Sequence, residues 1–309
     1  MNLSLIFYFF IFLFGTSTGS FLNSIIYRLQ IDSPPTDFQE RDTAKRITQK
    51  LRGGRSFLTG RSYCPECKHI LSWQDLIPLL SFLTLKGRCR YCQGKISWQY
   101  PLVELTTGLL FVFIFYQNMA FFLPGFFTPW ILKTIFLLVI SCILIIIFAS
   151  DFRYYIIPDK IIYPAIGITF LYQLFGNWKY EPVVSLPVVV PQLREIGNLQ
   201  PLLNPLFSAF LAGAFFLAIV LISRGKWMGW GDPKLAFFMG LLLGSPNILI
   251  ALFLAFLIGA IMGVGLIISG RKTLKSEVPF GPFLVVGTFV AFFWGGTLAD
   301  WYLSLFWQI

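Results

Sequence analysis

Apolar runs long enough to cross a bilayer recur along this chain, near residues 3–26, 102–123, 129–149, 156–175, 205–223, 233–246, 248–270 and 280–299. A helix needs roughly 20 apolar residues to span a hydrocarbon core of about 30 Å. The pattern therefore predicts an all-α polytopic membrane protein with about eight transmembrane helices. The first run has no basic residue before it and no small-residue cleavage site of the usual kind, so it reads as a retained helix rather than a signal peptide. Composition agrees: 56% of residues are hydrophobic, 12% are charged and 35 are Phe. The one long polar stretch, residues 27–100, separates the first helix (1–26) from a seven-helix membrane domain (101–309). Within it, residues 31–60, with Pro34, Pro35 and Gly53-Gly54, read as a flexible lead. Residues 177–204 carry Pro182, Pro187, Pro191 and Pro201, which argue for an extended loop and against a helix there.

Charge sets the expected orientation, because Lys and Arg accumulate in short cytoplasmic loops. With the N-terminus outside, all but three of the 24 basic residues fall on the inner side, the exceptions being Lys133, Lys179 and Arg194. The net charge of +10 then reads as topology and contact with anionic headgroups, with Arg28 and the stretch Lys45 to Arg61 as anchors. Nucleic acid is not implied. The same topology places Asp151, Asp159 and Asp232 at the cytoplasmic face.

The polar stretch holds two CxxC pairs, Cys64-Pro65-Glu66-Cys67 and Cys89-Arg90-Tyr91-Cys92, with 21 residues between them. Two such knuckles close a tetrahedral zinc site, and a site filled by four cysteines keeps no open position for substrate. The expectation is a structural metal in a small cytoplasmic domain, which a metal stabilises outright. In a reducing cytosol the disulfide alternative is weak. Cys142, inside an apolar run, reads as packing, and His69 as an exposed or packed imidazole.

Catalytic chemistry points to carboxylates. Ionisable groups at membrane depth are rare and mark functional sites. Asp232 closes Gly229-Trp230-Gly231-Asp232 at the start of an apolar segment and Asp151 ends another. Two carboxylates brought together are the working parts of an aspartyl hydrolase. The glycines lack Cβ atoms, which suits either a close peptide approach or close helix packing. Pro233 suits a first helical position. Asp159, in Ile157-Pro158-Asp159, fits a helix N-terminal acid or a second catalytic candidate. Glu104 is open between a helix N-terminal acid and a substrate contact. Pro279-Phe280-Gly281-Pro282 interrupts the entry to the last helix, and such backbone must line protein or a cavity. His69 is the sole histidine, so no H-E-x-x-H pair exists.

These signatures occur in an order that resembles the bacterial type IV prepilin leader peptidases, enzymes that are often also N-methyltransferases. The resemblance rests on Gly19-Ser20-Phe21-Leu22-Asn23, Tyr27-Arg28-Leu29, both CxxC pairs, Gly87-Arg88-Cys89 and Tyr100-Pro101-Leu102-Val103-Glu104. It continues through Asp151, Ile157-Pro158-Asp159, Gly229-Trp230-Gly231-Asp232 with Lys234-Leu235, and Pro279-Phe280-Gly281-Pro282-Phe283. It implies a GxGD-type aspartyl protease of the bacterial cytoplasmic (inner) membrane, with Asp151 and Asp232 catalytic and Gly229, Gly231, Lys234, Asp159, Pro279 and Gly281 around them. Glu104 becomes a candidate contact for the leader or free amine of a prepilin or pseudopilin. S-adenosylmethionine is implied by the resemblance alone, since no glycine-rich nucleotide fingerprint is present. Three rivals stand beside it: a transporter, which is expected to bury carboxylates near midplane, a methyltransferase indifferent to both aspartates, and an assembly factor built on the cysteine domain.

Overall fold

A computed structural model describes residues 3–32, 62–64, 66–119, 127–176, 200–270 and 278–306. Residues 33–60 of the predicted lead, its basic anchor Lys45 to Arg61 and most of the 177–204 loop lie outside these residues, whereas Ile31 and Asp32, expected to open the lead, are still helical. Among the described residues the chain is helical: α1 (Leu3–Asp32), a short α2 (Leu80–Thr84), α3 (Gln99–Met119), α4 (Phe127–Tyr154), α5 (Asp159–Gly176), α6 (Gln200–Ser223), α7 (Gly231–Leu243), α8 (Asn247–Ile268) and α9 (Gly281–Phe306). Each of the eight apolar runs overlaps one of these helices. Six are long and apolar enough to cross a bilayer by themselves, namely α1, α3, α4, α6, α8 and α9, and the chain is a multi-pass membrane protein.

The other two long helices show where hydropathy and helix boundaries part. α7 has 13 residues, about 20 Å of helix, and it ends because Gly244 adopts φ +64 before Ser245-Pro246. One correction concerns Pro201. It was expected to belong to extended chain, yet α6 already begins at Gln200, because a proline in a first turn gives up only an N–H that has no helical partner anyway.

The chain groups into two compact units, Met1–Ala149 and Ser150–Ile309. In the first, α1 packs along α3 through small residues. A Cβ on Gly15 would lie 2.8 Å from Gly108 Cα, and one on Gly19 would lie 2.7 Å from Glu104 Cα. Such stripes let helix backbones approach where water supplies no driving force. Aromatic edges extend the seam, Phe7 on Phe115 and Phe14 on Phe111, and Trp130 Nε1 on α4 donates to the Asn118 carbonyl at 2.9 Å. Asn23 Nδ2 on α1 donates to the Tyr100 carbonyl at 3.0 Å. In the second unit, α7 packs against α6 and α5, and α8 against α9. A Cβ on Gly240 would lie 2.5 Å from Ala209 Cα, and Gln173 Nε2 of α5 donates to the Leu241 carbonyl at 3.2 Å. Leu235, Phe238, Met239 and Leu284 are fully buried there.

The seam generates a direct test. Gly19→Leu places side-chain atoms where the α3 backbone lies, and overpacking costs about 1–3 kcal/mol, so the detergent-solubilised protein is expected to melt about 5 °C lower. Gly167→Leu, at a glycine with no neighbour within 4 Å, is expected to melt as the wild type does.

Candidate active site and metal centre

The cysteine knuckles are built alike. Cys64 N–H donates to the His69 carbonyl at 2.9 Å and Cys89 N–H to the Gly94 carbonyl at 2.8 Å, the same spacing in each. Lys68 and Gln93, each following a second cysteine, both adopt φ 59. Single bridges, Tyr63 with Ile70 and Arg88 with Lys95, close the two loops. These turns bring the four sulfurs within 4.8 Å of one another, with Cys64 and Cys89 buried. A tetrahedral ion at about 2.3 Å from each sulfur sets them about 3.8 Å apart, and the Cys64 and Cys92 sulfurs lie at 3.9 Å. The cluster can hold a metal ion.

Its electrostatics ask for one. A backbone N–H at Cys92, opposed by burial and aided by the N–H at Tyr91, lowers the Cys89 thiol to about 7. For Cys92 a backbone N–H at Gly94 pulls down, but burial and the neighbouring sulfurs outweigh it and push the thiol up to about 12. Sulfurs this close titrate as one group, and a cation is what lets all four ionise together. Asp75 ties the second knuckle to the turn Trp73–Leu76: its carboxylate meets Arg90 Nε at 2.8 Å and receives the Ser72 hydroxyl at 2.8 Å. His69, exposed, stacks on Tyr91 with centroids 3.7 Å apart.

Glu104 is buried and its Oε2 accepts the Leu79 N–H at 2.8 Å, with Ser20 as a further partner. Leu79 is held at φ 59 immediately before α2. The carboxylate therefore joins α3 to the start of α2. Nothing in the sequence signalled that bond, since it depends on the path of a connection with no periodicity.

Asp151 and Asp232 come together in the second unit. Each is 6% exposed, and they are near enough to interact through their charges. Asp151, in the last turn of α4, has its Oδ2 2.9 Å from the N–H of Gly281, the first residue of α9. The first N–H groups of a helix have no internal acceptor, and the positive end of the dipole favours an anion. Asp151 thus caps a helix 130 residues away. Asp232 is held locally, by the turn that leads into α7: its Oδ2 accepts the Gly229 N–H at 3.2 Å while its own N–H donates to the Gly229 carbonyl at 3.3 Å. Pro233, in the first turn of α7, removes no helical bond.

The glycines divide by role. A Cβ on Gly281 would lie 2.5 Å from Asp151 Oδ2 and one on Gly231 2.8 Å from Ile157 Cβ, whereas on Gly229 it would meet nothing closer than 3.8 Å. Behind Gly281, Phe280 packs on Phe216 of α6 and Phe256 of α8, with centroids 6.0 and 5.1 Å away. Those rings fix where the Gly281 donor sits. Sequence reasoning missed them because nothing distinguishes two phenylalanines among 35. Asp159 is exposed and its carboxylate meets Lys234 Nζ at 2.6 Å. Pro279 precedes the capped turn of α9. Cys142 is a free thiol on α4.

With this geometry in place, comparison with known proteins is decisive. The Bacterial Peptidase A24 N-terminal domain matches residues 13–118 and the Type IV leader peptidase family matches residues 138–264. The chain belongs to the type IV leader peptidase family. The prepilin leader peptidase/N-methyltransferase of Aeromonas hydrophila is 32% identical over 304 residues, covering 96% of this chain and 93% of the relative. That of Aeromonas salmonicida (strain A449) is 31% identical over 310 residues, covering 95% and 93%. A Bacillus subtilis (strain 168) relative of the same name is 29% identical over 250 residues, covering 81% and 88%. No solved structure gives a significant match.

For this member of the leader peptidase family the glycine geometry is testable. Gly281→Ala and Gly231→Ala displace the site's own atoms, and each is expected to lower leader cleavage about 10²-fold with normal insertion. Gly229→Ala is expected to insert and melt as the wild type does, so any activity it loses reports the approach of substrate.

Proposed function

We propose that this protein is an aspartyl endopeptidase of the bacterial inner membrane that removes the basic leader from type IV prepilins or pseudopilins at the cytoplasmic membrane face, then N-methylates the new terminus. The observation that carries the proteolytic half is the pair of buried carboxylates, each fixed by a glycine backbone N–H and close enough to feel the other's charge. Like charges in one site favour sharing a proton. The ionised member takes a proton from water, whose oxygen attacks the scissile carbonyl, while the protonated member donates to the carbonyl oxygen. The resulting gem-diol collapses as its C–N bond breaks and a carboxyl group passes the proton to the leaving amine. Asp151 and Asp232 share these roles, and the N–H groups of Gly281 and Gly229 hold the oxygens in place.

The orientation, N-terminus outside with the active site and cysteine domain inside, rests on the charge pattern. The Gly281 to Asp151 bond sets the end of α4 and the start of α9 at one depth, as any alternating topology of these helices requires. Methylation rests on the names of relatives that span nearly the whole chain, with S-adenosylmethionine as the implied methyl donor. Cys64, Cys67, Cys89 and Cys92 would hold Zn2+, which when bound supplies a four-point crosslink with no open position for chemistry. Glu104 stays a candidate for contact with the leader or the free amine.

Coexpression with a prepilin tests the reading. Asp151→Asn and Asp232→Asn, inserted at wild-type level, are each expected to lose cleavage by about 10³-fold or more yet still methylate a pre-cleaved pilin. Full cleavage by either variant contradicts the assignment. Purified protein is expected to carry one zinc per chain by elemental analysis, and Cys64→Ser or Cys89→Ser to lose the metal and melt at lower temperature.

A further inference from the structure

The separation of the two carboxylates depends on how the end of α4 is held against the start of α7, and the short segment after Asp151 is fastened there twice. Tyr155 turns the chain out of α4 with φ 56, its N–H donating to the Asp151 carbonyl at 2.9 Å. Ile157, 8% exposed, then lies against Gly231, where a Cβ would be 2.8 Å from Ile157 Cβ. Two residues on, Asp159 Oδ1 at the start of α5 meets Lys234 Nζ at 2.6 Å. Lys234 also lies over the Tyr163 ring, 5.3 Å from its centroid, and Tyr163 is one turn along α5 from Asp159. The fastenings bracket Asp232, one residue before it and two after.

We infer that the Asp159 to Lys234 ion pair, with the Ile157 to Gly231 contact, is a clamp that sets the distance between Asp151 and Asp232, making Lys234 and Asp159 positioning residues for proteolysis. The inference rests on the reading of Asp151 and Asp232 as the catalytic pair. Geometry, not stability, is the reason to assign the ion pair this role. Its side chains are 31% and 58% exposed, and exposed pairs contribute little to folding. A displacement of about 1 Å at a catalytic group, by contrast, costs about 10²-fold in rate. The pair therefore matters where a small shift is amplified, between two carboxylates that must share one water and one peptide.

The test is a double-mutant cycle in the full-length protein, using Lys234→Met, which keeps the apolar stem, Asp159→Asn and both together, with prepilin cleavage followed kinetically. Each single variant is expected to lower kcat by about tenfold or more, with KM within about twofold and the melting temperature within about 2 °C. The double variant is expected to be no slower than the worse single, as for partners in one interaction. Multiplying effects, a rise in KM at unchanged kcat, or a fall of more than about 5 °C in melting temperature would each overturn the clamp. Asp151→Asn and Asp232→Asn run alongside. If either cleaves normally, the underlying site assignment fails. If both are inactive while the Lys234 and Asp159 variants match wild type, the clamp alone fails.

Discussion

A carboxylate removed from water must be given a fixed donor, and that requirement organises the second half of this molecule. Asp151 obtains its donor from the N-terminus of α9 and Asp232 from the turn that starts α7. In both cases the donor is a glycine N–H. At Gly281 the reason is steric: the carboxylate oxygen occupies the space a Cβ would take. The last helix is therefore placed by the carboxylate that caps it. The phenylalanines of α6 and α8 that hold Phe280 supply the rigidity that the bond needs.

The first half meets a different constraint. Four sulfurs drawn together by two like-built turns are unstable as thiolates without a cation, so the cluster is one that can hold a metal ion. Glu104 links this region to the membrane helices by accepting the Leu79 N–H at 2.8 Å, while glycine contacts hold α1 against α3. Cysteine cluster and helix pair thus belong to one packed unit.

Much of this was legible in the sequence, because hydropathy reports depth and cysteine spacing reports metal geometry. The eight apolar runs and the two knuckles follow from such local signals, as does the choice of Asp151 and Asp232 as the carboxylates to watch. Helix ends were less legible. α1 continues to Asp32 because a helix need not stop where the apolar run does, and α6 starts before Pro201, which a first turn tolerates. What could not be read was partnership. Gly281 as the donor to Asp151, Ile157 as the reason for Gly231, and Lys234 as the mate of Asp159 join residues 74 to 130 positions apart. Apolar composition is uniform across such pairs and carries no trace of which faces meet. The two glycines of the Gly229 to Asp232 turn look equivalent in sequence, yet only one is confined by a neighbour.

The central claim is that Asp151 and Asp232 act as one unit on a tetrahedral carbon. Binding of a leader-spanning peptide whose scissile amide is replaced by a hydroxyethylene group, a mimic of the gem-diol, tests it most directly. The account predicts that wild-type protein binds the mimic about 10²-fold or more tightly than the parent amide, and that Asp151→Asn and Asp232→Asn each abolish that preference. Equal affinity for mimic and amide, or a preference that survives in either variant, would contradict it.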